Sequence, residues 1–186
     1  MIRGWIARRK FRVHQINALS TNRYFKQEEA QETLTGKFDP DAPTETRTHA
    51  YATDAVYEGE WKGGMRHGKG KMAWADGGRY EGEWQYNQAC GEGTFHHTSG
   101  DVYIGRWVNN KSNGFGVYRT VNGARYEGGW KDDLQHGLGV EDLQSGAKYE
   151  GNYKLGMKDG QGKYTYTNGA VYDGEWKDNK ISGYGK

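Results

Sequence analysis

Few residues in this chain have the type and spacing that chemistry demands. Residues 63–70 read GGMRHGKG, which begins like a phosphate-cradling G-x-x-x-x-G-K loop. Gly70 then stands where a Ser or Thr hydroxyl would have to hold magnesium, so the likeness belongs to the glycine background. His96 and His97 are neighbours, and on a strand they point to opposite faces. Cys90 is the single cysteine, with no partner for an intrachain disulfide, no C-x-x-C for a metal knuckle and no evident base to activate it. Asn110-Lys111-Ser112 is formally a glycosylation acceptor, but it has no meaning in an intracellular chain. These residues predict no catalytic group, no metal and no cofactor, and therefore no enzyme.

The elements behind these residues come from a repeat. Tyr57, Tyr80, Tyr103, Tyr126, Tyr149 and Tyr172 stand 23 residues apart. Each is followed by Gly at the second position, an aromatic ring at the fourth and Gly at the eleventh and thirteenth. Thus Tyr57, Gly59, Trp61, Gly68 and Gly70 recur around Trp84, Trp107, Trp130, Tyr153 and Trp176. Tyr57, Gly59 and Trp61 alternate with Glu58 and Glu60, which puts rings on one strand face and carboxylates on the other. Gly68, Gly70, Met72 and Trp74 predict a second strand, whose two bare positions let the rings of its neighbour lie flat. Six residues, Lys62 to His67, are expected to bridge the strands, and ADGG, TSGD, VNGA, QSGA and TNGA to make tight returns. Each unit is then a hairpin, and five and a half units make a ribbon roughly 50 Å long. On that ribbon His67 and His136 fall three units apart, about 30 Å, which precludes a shared metal.

The segments YEGEWKGGMRHGKG, YEGEWQYNQACGEG and YDGEWKDNKISGYG resemble MORN repeats (membrane occupation and recognition nexus). The likeness implies an all-β array, an elongated single sheet of antiparallel hairpins over residues 56–186. It also implies an interaction module of the kind found in junctional membrane proteins, lipid kinases, a lysine methyltransferase and ciliary or cytoskeletal proteins. Because stacked repeats need capped ends, the halt at Lys186 within a sixth unit leads us to expect a longer protein or a partner over the open edge.

Composition agrees with a thin sheet: 34% hydrophobic residues, a mean hydropathy of −1.07 and 30 glycines leave the 14 tyrosines and seven tryptophans to supply buried area. Residues 1–50 carry nine Lys/Arg against six Asp/Glu, net +3, and the rest 17 against 18, net −1. Basic attraction is therefore expected at the N-terminus, and nucleic acid is not an expected partner of the repeats. No apolar run reaches a membrane span of roughly 18 residues.

Residues 1–35 predict a basic helical segment, and FDPDAPTET within residues 36–55 an extended linker, because Pro40 and Pro43 exclude helix. Arg3, Gly4 and Arg8 resemble the R-G-x-x-x-R half of an IQ motif, without its leading Ile-Gln, with Trp5, Arg9 and Phe11 beside them. That resemblance implies calmodulin or a light chain as a partner; a membrane contact and a plain docking helix are the alternatives.

Glu58 and Glu60 are expected to face Lys69 and Lys71 across the hairpin. Units three and four break this rule, because Ile104, Phe115, Val117, Leu138 and Val140 occupy the charged-face positions and predict one apolar patch. The patch is expected to hold a separate partner, or else the chain's own N-terminal helix. The sum is a non-catalytic scaffold of a large intracellular assembly, most like a ciliary axoneme or the cytoskeleton, with self-association as a further property. Phospholipid tethering and service as the regulatory arm of a longer enzyme are the competing expectations.

Overall fold

The computed structural model describes Tyr24, Phe25 and residues 39–186. Thirteen antiparallel strands follow in strict chain order within one open sheet. They are β1 (Thr44–Ala50), β2 (Val56–Lys62), β3 (Met65–Ala73), β4 (Arg79–Gln85), β5 (Gln88–His96), β6 (Val102–Val108), β7 (Lys111–Arg119), β8 (Arg125–Lys131), β9 (Leu134–Asp142), β10 (Lys148–Lys154), β11 (Met157–Thr165), β12 (Val171–Lys177) and β13 (Lys180–Gly185). Twelve inter-strand steps give a sheet about 58 Å across. The expected repeat of hairpins is present, and each 23-residue unit supplies two strands.

Register explains why the glycines recur. Gly59 pairs with Gly70, Gly70 with Gly82 and Gly82 with Gly93, and the row continues through every strand to Gly174 and Gly185. The tyrosine two residues before each odd member of this row folds its ring down over the glycine paired with that member. At Gly116 an added Cβ would lie 2.5 Å from the Tyr103 hydroxyl oxygen and 2.7 Å from two of its ring carbons. Packing that tight leaves room for hydrogen only. Each hydroxyl then donates to a carbonyl three residues on, as Tyr103 does to Arg106 at 3.0 Å. Burial pushes the Tyr80, Tyr103, Tyr126 and Tyr149 hydroxyls up, to about 12 at Tyr149, so they remain donors.

Tryptophan locks one unit to the one before. Trp84, Trp107, Trp130 and Trp176 each donate Nε1–H to the carbonyl of the socket glycine on the previous strand, Gly70, Gly93, Gly116 and Gly162, at 2.9–3.1 Å. Tyr57, Tyr80 and Tyr103 each meet two such rings edge-on: Tyr103 lies 5.2 Å from both Trp107 and Trp130. Edge-to-face pairs of this kind are worth about 0.5–1.5 kcal/mol beyond area burial. The core is thus a single layer of rings laid on one face, the ring face.

Several sequence expectations need correction. Gly68 is no socket: its φ is +72°, and an added Cβ would meet the Glu60 side chain, not a ring. It and its counterparts form the register bulge opposite Glu60, which only a residue tolerant of positive φ enters without strain. The bridge within a unit is not Lys62–His67. It is the two residues Gly63 and Gly64, followed by Tyr86–Asn87, Asn109–Asn110, Asp132–Asp133, Leu155–Gly156 and Asp178–Asn179, all at positive φ, the signature of type I′ turns. The return between units is the longer one, five residues such as Trp74–Gly78. Glu58 does oppose Lys71, but Lys69 pairs in register with Glu83 of the next unit and Glu60 meets the bulge.

The expected linker also contains a strand. β1 pairs along its full length with β2, setting Arg47 opposite Gly59 at the end of the glycine row. Its Arg47 carbonyl accepts the Trp61 Nε1–H at 3.3 Å, as a preceding unit would, and the Arg47 guanidinium stacks 4.1 Å over the Trp61 ring. β1 is therefore an N-terminal cap. Thr44, Thr46 and Thr48 alternate with polar residues, a β-branched pattern that Pro40 and Pro43 obscured. The helical segment expected in residues 1–35 lies outside the described residues except at Tyr24 and Phe25, which are helical. Phe25 is fully buried on the ring face, with ring centres of Trp74, Tyr80, Trp84, Phe95 and Trp107 within 5.4–6.1 Å.

The second turn residue also ties adjacent units. Asn87 Oδ1 accepts the backbone N–H of Arg66, Asn110 that of Ala89, and Asp133 both the N–H and the hydroxyl of Ser112. Burial raises the Asp133 carboxyl despite the two Ser112 bonds, so its charged form weighs against folding once pH exceeds that raised value. Asp133→Asn should therefore melt higher than the parent at neutral pH, and the gap should shrink on acidification, when the parent carboxyl gains its proton. Thermal melts across pH measure this. Gly116→Ala should cost about 2–3 kcal/mol in urea titrations, more than Gly137→Ala, where only the positive φ opposes a side chain and nothing lies within 4 Å.

Candidate functional site

The face opposite the rings carries the chemistry that varies. Register sets Thr94, Ile104, Val117, Glu127, Val140, Glu150, Lys163 and Asp173 in one row across β5 to β12. Two residues away along the strands stand Phe115 and Leu138, and Gly129 is the register partner of Phe115. Phe115 is 61% exposed, Leu138 73% and Ile104 44%, whereas Val117 and Val140 are half-buried. All five predicted patch residues thus share one face. Ile104, Phe115 and Val117 make one cluster and Leu138 with Val140 another, and the bare backbone of Gly129 joins them. Glu127 intervenes between Val117 and Val140, its carboxylate drawn to Arg125 on its own strand.

The patch borders a shallow groove of about 620 Å³, lined by Phe115, Leu138 and Val140 at one end and by Glu150, Lys163 and Asp173 at the other. The backbone of the glycine row, whose bare Cα positions face the rings, forms its floor between the flanking rows of side chains. Sequence reading found the apolar residues and missed the groove, whose acidic wall lies at the position after each repeat tyrosine. The chain's own Tyr24 and Phe25 lie on the ring face and do not cover it. Arg3, Gly4, Trp5, Arg8, Arg9 and Phe11 lie outside the described residues.

The other chemistry-bearing residues are dispersed. His96 lies beside Arg79 on the back face, at 3.3 Å, while His97 packs on the ring of Phe95. Burial, and then Glu83, push the Cys90 thiol up, the reverse of an activated thiolate. Among the described residues no three His, Cys, Asp or Glu side chains are grouped to hold a metal, and no helix is long and apolar enough to cross a membrane.

Repeat models place six consecutive MORN repeats at residues 57–79, 80–102, 103–125, 126–148, 149–171 and 172–186. The chain belongs to the MORN-repeat family. No curated protein matches it in sequence. Among solved structures, the TCP10 domain of Danio rerio CPAP, in complex with a peptide of Danio rerio STIL, is 12% identical with a TM-score of 0.45; the match covers 74% of this chain and 61% of that one. The SAS-4 (dCPAP) TCP domain of Drosophila melanogaster, in complex with a proline-rich motif of Ana2 (dSTIL), is 8% identical with a TM-score of 0.44, over 75% and 83% of the two chains.

A polar cluster interrupts the MORN ring layer in its fourth and fifth units. Glu141 takes the place held by Met72, Phe95, Tyr118 and Tyr164 in other units, accepting the Tyr153 hydroxyl at 3.0 Å and the Lys158 ammonium at 2.5 Å. Lys158 in turn sits 4.9 Å above the Tyr149 ring. Burial and then Glu141 push the Tyr153 hydroxyl up, so it stays a donor. Glu141→Ala should destabilise the array by about 1–3 kcal/mol, since Lys158 would keep its buried charge and lose its counter-ion. Glu141→Ala combined with Lys158→Met should recover most of that loss in a double-mutant cycle.

Proposed function

We propose that this MORN-repeat chain is a non-catalytic scaffold that holds a protein partner on its back face within a large assembly, the ciliary axoneme or the cytoskeleton. One observation carries this reading: Phe115 and Leu138 stand exposed beside a groove, next to Ile104, Val117 and Val140, on a face that elsewhere is mainly charged and polar. Keeping large apolar side chains in water while a full ring face is available for burial serves no folding purpose, and exposed patches of this kind mark association surfaces. A docked side chain entering the groove between them would lose water on both sides, the setting in which apolar anchors contribute most to affinity. The rigid neighbours support this role, because the tyrosine-glycine layer fixes the patch without help from the groove.

A phospholipid leaflet suits this face poorly, since Glu127, Glu150 and Asp173 border the apolar residues. The assembly follows from the company that MORN arrays keep, and microscopy tests it. A fluorescently tagged full chain should concentrate on axonemes or cortical filaments; an even cytosolic distribution would overturn that assignment. Phe115→Asp with Leu138→Asp should leave the melting temperature nearly unchanged, because exposed positions shift stability by roughly 0.5 kcal/mol or less. The same pair should remove the principal crosslinked partner of the full chain in cell extract. Identical crosslinks from parent and variant would refute docking at this patch.

A further inference from the structure

The groove beside Phe115 and Leu138 stands open, and its charge indicates what fills it. From the apolar end, Glu127, Glu150 and Asp173 run in a line, each two strand spacings, about 9.6 Å, from the next. Lys163 is the only cation among the residues lining this groove. A second depression of about 420 Å³ lies over Gly59, Gly70 and Gly82 on the same face, where Glu58, Glu81, Glu83 and Glu92 outnumber Lys69 and Lys71. Some carboxylates are engaged: Glu81 by Lys71 at 3.2 Å, Glu150 by Lys148 at 3.0 Å and Glu127 by Arg125. Glu58, Glu92 and Asp173 have no cation within ion-pair distance among the described residues. Carboxylates thus outnumber cations among the residues lining both depressions.

We infer that the groove takes a basic polypeptide segment of a partner protein, which lays large apolar side chains against Phe115 and Leu138 and sets Lys or Arg against Glu150 and Asp173. The inference rests on the scaffold reading and adds the chemistry of the partner. Three residues of extended chain advance about 9–10 Å, so a cation at every third position matches the carboxylate spacing. A second acidic row lies beyond the apolar bed, so the occupant crosses the sheet along the glycine floor with its apolar side chains near the middle. The two interactions divide the work. Exposed ion pairs add little affinity singly but select partners and speed encounter, while the apolar anchors hold the segment. An acidic peptide or an anionic membrane would meet like charge along the same path.

The test uses the full chain and a fluorescein-labelled synthetic peptide of roughly fifteen residues, long enough to span about 50 Å, with lysine at every third position and Leu-Phe at its centre. Fluorescence anisotropy should show saturable binding that weakens as salt is added. Glu150→Lys with Asp173→Lys should weaken it about tenfold or more without moving the thermal melt, and Phe115→Asp with Leu138→Asp should abolish it. Undiminished binding by a normally melting Glu150→Lys, Asp173→Lys variant would overturn the inference. So would equal binding of a peptide with glutamate for lysine, or capture of phosphatidylserine vesicles in place of the peptide. Binding seen only after Arg3, Arg8, Arg9, Lys10 and Arg12 are changed to Gln would also overturn it, by identifying the chain's own N-terminus as the occupant. The two ideas fail separately. Loss of the crosslinked partner in the Phe115, Leu138 variant, with partner and peptide both retained by the Glu150, Asp173 variant, would leave the scaffold standing and remove the charge-matched segment.

Discussion

A tyrosine ring lying flat on glycine is the contact on which the sheet depends. A sheet one layer thick has no second layer to bury its apolar side chains against, so the rings must fold over the backbone itself. Backbone accepts a ring only where no Cβ stands, which is why Gly105 and Gly116 face each other beneath Tyr103 and why the same pair recurs under each repeat tyrosine. Glycine within a strand normally weakens a sheet by its entropy and its missing side chain. Here the aromatic area it lets in, roughly 150–250 Å² per ring, outweighs that cost of roughly 0.5–1 kcal/mol.

The polar edges of the rings make the layer directional. Tyrosine hydroxyls bond within their own hairpin and tryptophan Nε1–H groups bond back to the previous one, so each unit completes its predecessor. An end unit therefore lacks a partner unless something imitates one. β1 does so at the N-terminal end, by offering the Arg47 carbonyl to Trp61 and the Arg47 guanidinium to its ring. The imitation is functional and not sequential, since β1 contains neither the tyrosine nor the glycine of a repeat.

What was legible in the sequence follows the same division. Tyr57 to Trp176 recur at a fixed spacing because every unit solves one packing problem, so fold and strand faces could be read directly, and the Gly70 sockets with them, but not the bulge at Gly68. Turn lengths were less legible: Leu155 and Tyr86 sit at positive φ although neither residue favours it, because turn geometry follows the strand register and not the local propensity. β1 was hidden because a cap need satisfy only one end of the array and so escapes the repeat. The patch residues were legible as departures from the charged pattern. The groove was not, since its walls are back-face side chains from separate units that only the strand register brings side by side, and a linear sequence does not display them.

The separation of faces has a consequence for how function varies. Stability resides in the ring layer, where each side chain is constrained by the glycine beneath it and by the rings on either side. The back face contributes little beyond exposed ion pairs of about 0–1 kcal/mol each. Substitutions there are nearly free of folding cost, so Phe115 and Leu138 can replace charged residues without compensation elsewhere. Glu141 shows the opposite case: a carboxylate placed in the ring layer requires both Tyr153 and Lys158 to accommodate it. A departure on the ring face is therefore matched by neighbours that repair it, whereas a departure on the back face stands unrepaired. Unrepaired apolar exposure is what marks the groove, and not the rings, as the surface shaped by something outside this chain.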